Sequence, residues 1–372
     1  MTGNNFTSRI CWCGNTVLEY FSDDYSMCNQ CCTLITKTAL VDDTFFVKND
    51  EESFYGKNYW LDHQRKDLNH PDIIQRARLD LPERCMHWLE TLLKYKLPPA
   101  KVLEIGCAHG GFLGILQLMG YDVVGLELSD WVAEFAKSTF NIPVFKGPLE
   151  EQQFPSKTFD VIILMDVLEH LPDPRTTLKA CLKVLKPEGF LLIQTPEYQE
   201  KKDLETIQKE QPEFLSMLIP DEHLYLFTRN SVQILFNELG IKYFYFEPAI
   251  FWQYDMFFIA SREPIENNKQ DFIDVVLQNS VQKRLLQALL DQRKTLQFIE
   301  KDSANKLKII QEISTELARV SAELARVSAE LASVLTENQA LKKRYQYNIQ
   351  KYLRCFFSFF QNIYKKITTR IR

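Results

Sequence analysis

No run of the 372-residue chain reaches the ~20 apolar residues that a helix needs to cross a bilayer. No apolar stretch follows a basic start at the N-terminus either, which predicts a chain without a secretory leader, kept in the cytoplasm where thiols stay reduced. Its cysteines are therefore not read as disulfides. Acids are missing altogether from residues 342 to 372, although the chain as a whole carries a net charge of −5. The C-terminal stretch is thus set apart from a remainder whose composition is that of an ordinary soluble protein.

What is present begins with cysteine. Cys11, Cys13, Cys28, Cys31 and Cys32 crowd into the first 32 residues. Two close pairs separated by a hairpin-sized segment can supply four thiolates in a tetrahedron, so that zinc stabilises a module too small for its own core. The expected ligands are Cys11, Cys13, Cys28 and Cys31, with Cys32 an alternative to Cys31; reduced, unliganded thiols are the other reading. Cys85, Cys107, Cys181 and Cys355 are scattered and read as buried small hydrophobes.

Residues 102 to 112, Val-Leu-Glu-Ile-Gly-Cys-Ala-His-Gly-Gly-Phe, read as a buried strand that ends in a glycine-rich turn and leads into a helix. Glu104 lies two residues before Gly106, where a carboxylate reaches a cationic ligand group over the loop. Glu127 ends the next apolar strand, where a carboxylate can bind both ribose hydroxyls. Together they favour S-adenosylmethionine (SAM), which has an amino-acid end, a sulfonium and a ribose but no phosphate.

At this point the chain resembles the class I SAM-dependent methyltransferases, whose pattern is an acid followed by glycines at every second position. Ala108 stands where a glycine is expected. The resemblance continues through Gly147-Pro148-Leu149-Glu150, through Lys157 to Pro174, and through Lys183 to Thr195, and covers roughly residues 100 to 262. It implies an α/β, Rossmann-like fold. The cofactor residues it implies are Glu104, Gly106, Ala108, Gly110, Glu127, Leu128, Leu149 and Asp166, with Pro148 replacing an acid often found beside the adenine.

The C-terminal third changes period. From Glu316 the chain reads Glu-Leu-Ala-Arg-Val-Ser-Ala, repeats it at Glu323 and varies it at Glu330. Leu317, Leu324 and Leu331 fall at a, with Val320, Val327, Val334 and Leu341 at d; this predicts a left-handed α-helical coiled coil over about 310–341 and a homo-oligomer, with dimer, trimer and higher bundles all open. On a helical wheel of the tail, Ile349, Leu353, Phe356, Phe360, Ile363 and Ile367 share one face with Phe357 and Tyr364 nearby. Lys351, Arg354, Lys365 and Arg372 lie mainly opposite. Such a helix suits peripheral contact with an anionic membrane rather than nucleic acid. The expected organisation is a zinc ribbon at 1–40, a helical lead-in covering the substrate at 41–99, the methyltransferase domain at 100–262, a helical region at 263–341 and the basic tail at 342–372.

A ribbon followed by Phe54-Tyr55-Gly56-Lys57-Asn58-Tyr59-Trp60 resembles bacterial methyltransferases that modify sugars and surface glycans. Tyr55, Tyr59 and Trp60 then offer faces to sugar rings or pack between domains. O-methylation of a sugar benefits from a general base, for which His170 and His223 are the candidates and His223 is preferred. A terminal phosphate acceptor would need no base. Head, coil and basic tail together resemble O-antigen chain-terminating methyltransferases, with no kinase signature following the domain. The resemblance implies a polysaccharide or its lipid-linked precursor as acceptor, at the inner face of the cytoplasmic membrane. C-methylation of a nucleotide-linked deoxysugar and a non-catalytic scaffold remain as alternatives.

Overall fold

The computed structural model describes residues 9–37, 47–67 and 70–370. A first compact unit runs to Lys294 and a second from Thr295. The first unit begins with a small antiparallel sheet of β1 (Leu18–Tyr20), β2 (Tyr25–Cys28) and β3 (Leu34–Thr36). The lead-in follows, with a π-helical turn at Tyr59–His63, the short α1 (Gln64–Lys66), then α2 (Ile73–Leu79) and α3 (Met86–Tyr95). Asp72 starts α2 by accepting from the backbone N–H of Gln75 at 2.9 Å.

From Lys101 the chain alternates strand and helix: β4 (Lys101–Ile105), α4 (Gly111–Met119), β5 (Asp122–Glu127), α5 (Asp130–Phe140), β6 (Val144–Lys146), β7 (Phe159–Met165), α6 (Pro174–Val184) and β8 (Leu185–Pro196). Then come α7 (Leu204–Glu210), β9 (Tyr225–Leu226), α8 (Arg229–Glu238), β10 (Tyr243–Glu247) and β11 (Asp255–Ser261), and finally α9 (Gln270–Leu277) and α10 (Val281–Arg370). Every residue of β7 is buried, as a parallel strand covered by helices on both faces requires.

The large sheet has the order β10-β11-β8-β7-β4-β5-β6, parallel from β8 to β6 and closed at one edge by the antiparallel β10–β11 hairpin. The chain moves outward from β4 to β6 and then returns to β7 beside β4. This reversal opens a crevice at the carboxyl ends of β4 and β7, where open α/β sheets bind ligands. The architecture is the expected Rossmann-like methyltransferase fold with a long C-terminal helix. The small sheet does not stand alone, because β3 pairs with β9 from the large domain, Leu34 opposite Leu226 and Ile35 opposite Tyr225.

In the second unit, Leu317, Val320, Leu324, Val327, Leu331, Val334 and Leu341 are all exposed along α10. The same holds for Ile349, Leu353, Phe356, Phe357 and Phe360 in the tail, while the side chains of Ile363, Tyr364 and Ile367, and all of Arg372, lie outside the described residues. Cys85, Cys107 and Cys181 are buried as expected, but Cys355 is exposed. It lies on a stretch of α10 whose flanking apolar side chains are exposed too, so being a small hydrophobe did not bring it burial.

Candidate cofactor and acceptor site

Gly106 leaves β4 at φ +67°, and a Cβ there would lie 2.8 Å from Val167 Cγ2, so both the conformation and the space demand glycine. Ala108 also adopts positive φ, at 46°. An alanine is thus held in a backbone state that a glycine would take without strain. What holds it is Glu127, whose Oε2 accepts from the Ala108 N–H at 3.1 Å while Oε1 accepts from Leu128 N–H at 2.8 Å. Burial pushes the Glu127 carboxyl up, and these backbone donors pull it back.

Glu104 is 4% exposed, and its Oε2 is buried with no hydrogen-bond partner among the described residues. Burial, with Glu127 adding, raises its pKa well above the carboxylate range. A buried carboxylate with an orphaned oxygen beside a glycine-rich turn fits a ligand that brings a positive charge, and the sulfonium and ammonium of SAM are such charges. Asp166, at φ +56° after β7, is positioned by Gln194, whose Nε2 donates to its Oδ1 at 2.9 Å. Leu149 is buried in the turn after β6. Gly110 caps α4 in the left-handed conformation.

Two supports lay beyond the reach of sequence reasoning. His109 Nδ1 accepts from Gly111 N–H at 3.0 Å, and its Nε2 bonds Asp80 Oδ2 at 3.2 Å, tying the glycine-rich turn to the end of α2. Asp50 accepts from the Ser129 hydroxyl and from Trp131 N–H at 3.1 Å, which fixes the lead-in over the start of α5.

The two candidate bases converge. The rings of His170 and His223 lie 5.0 Å apart. His170 Nδ1 donates to the Glu222 carbonyl at 2.8 Å, and His223 Nδ1 donates to the Met217 carbonyl at 2.7 Å. Each ring therefore keeps a lone pair on Nε2. Burial, with His223 adding, lowers the His170 pKa to about 3, and burial lowers that of His223, so both are neutral at physiological pH. Glu169, absent from the expected site, is 1% exposed beside them. The signal available for it was repetition, since Glu-His occurs at 169–170 and again at 222–223.

Glu222 joins this acceptor side to the lead-in. Tyr59 Oη donates to its Oε2 at 2.8 Å, and His63 Nε2 lies 3.0 Å from its Oε1. Tyr59 is buried against Phe54, Tyr55, Trp60 and His63, so its rings serve packing rather than a sugar. Tyr55 packs edge-on to His170.

The four expected zinc ligands are gathered. Sγ atoms of Cys11, Cys13, Cys28 and Cys31 lie within 4.8 Å of one another, with Cys11–Cys31 at 3.5 Å and Cys13–Cys28 at 3.7 Å. A tetrahedral zinc at ~2.3 Å from each sulfur sets them ~3.8 Å apart, so the set fits the ion. Backbone N–H groups of Cys13, Asn15 and Thr33 donate to Cys11, Cys13 and Cys31, the bonding a thiolate cluster needs. Cys32 is not part of it; it sits at φ +59° with its thiol toward Glu200, which removes it as the alternative to Cys31.

Residues 77–244 match the family described as a methyltransferase domain. The ubiquinone biosynthesis O-methyltransferase of Saccharophagus degradans is 33% identical over 103 residues, 26% of this chain and 43% of that protein. The enzyme of the same name from Shewanella sp. is 31% identical over 113 residues, 29% of this chain and 48% of its own. The chain thus spans under half the length of these curated relatives. Among solved structures, the PH0226 protein of Pyrococcus horikoshii is 19% identical, with a TM-score of 0.41 over 56% of this chain and 98% of its own.

Proposed function

We infer from a class I SAM-dependent methyltransferase domain at residues 77–244 that the chain transfers a methyl group to a hydroxyl of an acceptor bound at the carboxyl edge of the sheet. The observation that carries this reading is the pairing of the orphaned Glu104 oxygen with the backbone-anchored Glu127 carboxylate around a glycine-rich turn. When bound, SAM supplies an electrophilic methyl on a good leaving group, so the protein has mainly to position the acceptor, exclude water and relieve the hydroxyl of its proton. Glu104 offers charge to the amino-acid end and Glu127 to the ribose. Asp50 and the aromatic lead-in close the site, and His170 and His223 present neutral Nε2 atoms to the acceptor.

The acceptor we propose is a sugar hydroxyl of a surface glycan or its lipid-linked precursor. The cysteine module and the aromatic lead-in support it, and α10 would bring several heads together through its exposed heptad seam while its basic, aromatic end meets an anionic membrane. A phenolic quinone precursor is the second reading, favoured by the names of the two relatives. The test is transfer of labelled methyl by the full chain, with the acceptor sought in cells lacking its gene. Glycan losing its methyl supports the first reading, an unmethylated quinone intermediate supports the second, and neither change overturns both.

Two further outcomes follow from this reading. His223→Ala should lower kcat ~10²-fold or more while the affinity for SAM stays within a few-fold; an unchanged kcat would remove His223 from the chemistry. Leu324→Glu with Leu331→Glu should convert an oligomer to monomers by light scattering and weaken sedimentation with anionic vesicles, since weak anchors add by avidity. A mass equal to a single chain in the unaltered protein would sink the oligomer.

A further inference from the structure

Two acid–histidine dipeptides meet at the acceptor side of the cleft. Both Nδ1–H groups are committed to backbone carbonyls, at Glu222 and Met217, which leaves the Nε2 lone pairs of His170 and His223. Between the ends of β7 and β8 lies the Glu169 carboxylate. Its Oε2 accepts from the Thr195 hydroxyl at 2.9 Å, and its Oε1 is buried with no hydrogen-bond partner among the described residues, 3.9 Å from His170 Nε2. One nitrogen of each histidine and one oxygen of Glu169 fall within 4.8 Å of one another. Three acceptors thus face one another with no donor among them, and what such a set lacks is a positive charge.

We propose that Glu169, His170 and His223 hold a divalent transition-metal ion, a second site distinct from the cysteine cluster. Two imidazoles and one carboxylate suit Zn²⁺, Fe²⁺ or Mn²⁺ and leave further coordination positions open. Histidine ligands oriented by Nδ1–H bonds to carbonyls, and a carboxylate held by a hydroxyl, are the outer support that metal sites require. Ligands at ~2.1 Å from an ion stand roughly 3.0–3.4 Å apart, so Glu169 Oε1 and His170 Nε2, 3.9 Å apart, close by roughly 0.5–0.9 Å on binding. The role assigned to the ion rests on the methyltransferase reading and replaces direct proton removal by the two histidines, whose Nε2 atoms then act on the acceptor through the ion. It takes the acceptor oxygen as a further ligand and lowers its pKa. The O–H proton passes to bulk water, the oxygen lone pair forms the bond to the methyl carbon, and the methyl–sulfur bond breaks with its electron pair returning to sulfur, which leaves as a neutral thioether.

The experiment is metal counting on the full chain loaded with Zn²⁺ and then freed of loose ions, repeated with Co²⁺ for its absorption. Unaltered protein should hold about two ions per chain, one of them at the cysteines. Glu169→Gln, and separately His170→Gln with His223→Gln, should hold about one and retain the thiolate-to-cobalt charge-transfer band. One ion in the unaltered chain, or no loss in either variant, overturns the site, and the unaltered count needs no variant to fold. SAM binding measured on the same preparations separates the two ideas. A chain that binds SAM but only one ion loses the metal site alone, whereas a folded chain that binds two ions and no SAM loses the methyltransferase reading.

Discussion

Glu127→Ala should weaken SAM binding about a hundredfold or more, from the loss of charge-assisted bonds to ligand hydroxyls worth ~3 kcal/mol together. The effect reaches past the ligand. Without the carboxylate, the N–H groups of Ala108 and Leu128 lose their acceptor, and Ala108 loses the bond that holds it at positive φ. The turn should therefore loosen as well as bind less. Gly106→Asp is the stronger change. It adds a Cβ 2.8 Å from Val167 Cγ2 at φ +67° and a second negative charge beside Glu104, so binding should vanish in calorimetry while the chain stays folded. Glu104→Gln keeps the shape and removes only the charge, and a loss of about tenfold is expected. If all three bind SAM like the unaltered protein, the cofactor lies elsewhere and the reading fails.

Removing zinc should have the other large effect. Structural zinc contributes ~10–16 kcal/mol in small modules, as much as the whole stability of an ordinary domain. Cys28→Ser, or a strong chelator, should unfold β1 to β3 and open residues 9–37 to protease. The damage should spread along defined bonds. Tyr25 Oη donates to the His223 carbonyl at 2.9 Å, Thr36 N–H to the Leu224 carbonyl at 3.2 Å, and Leu224 N–H to the Glu169 carbonyl at 2.9 Å. Loss of the ion is therefore expected to abolish turnover while SAM still binds, since Glu104 and Glu127 belong to other strands. Full turnover by zinc-free protein would show that the cysteine module is dispensable for the chemistry.

How much of this was readable follows from where each signal lies. The glycine-rich turn, the two acids and the four cysteines were legible as groups because close spacing within each segment brings backbone and side chains together. The long helix was legible because period seven is a helical period, while the oligomer expected from its seam remains a proposal. Glu169 was not, since an acid after a strand is ordinary until Thr195 and two histidines are known to face it. Asp50, Asp80 and Glu222 were silent for the same reason: their partners, Ser129, His109 and Tyr59, are 79, 29 and 163 residues away in sequence. The aromatic lead-in carried an ambiguous signal. Its rings fit a sugar or a core equally well on composition, and for Tyr59 burial decided for the core.

The pairing of β3 with β9 has a consequence for synthesis. Leu34 leaves the ribosome some 190 residues before Leu226, its partner across the sheet. At about 5–20 residues per second the first module waits roughly ten to forty seconds with one apolar strand edge unpaired, the condition under which nascent chains pair with the wrong neighbour. Cysteines that capture zinc early would keep that edge short and ordered during the wait. The small sheet would then be completed only after most of the large sheet has been made.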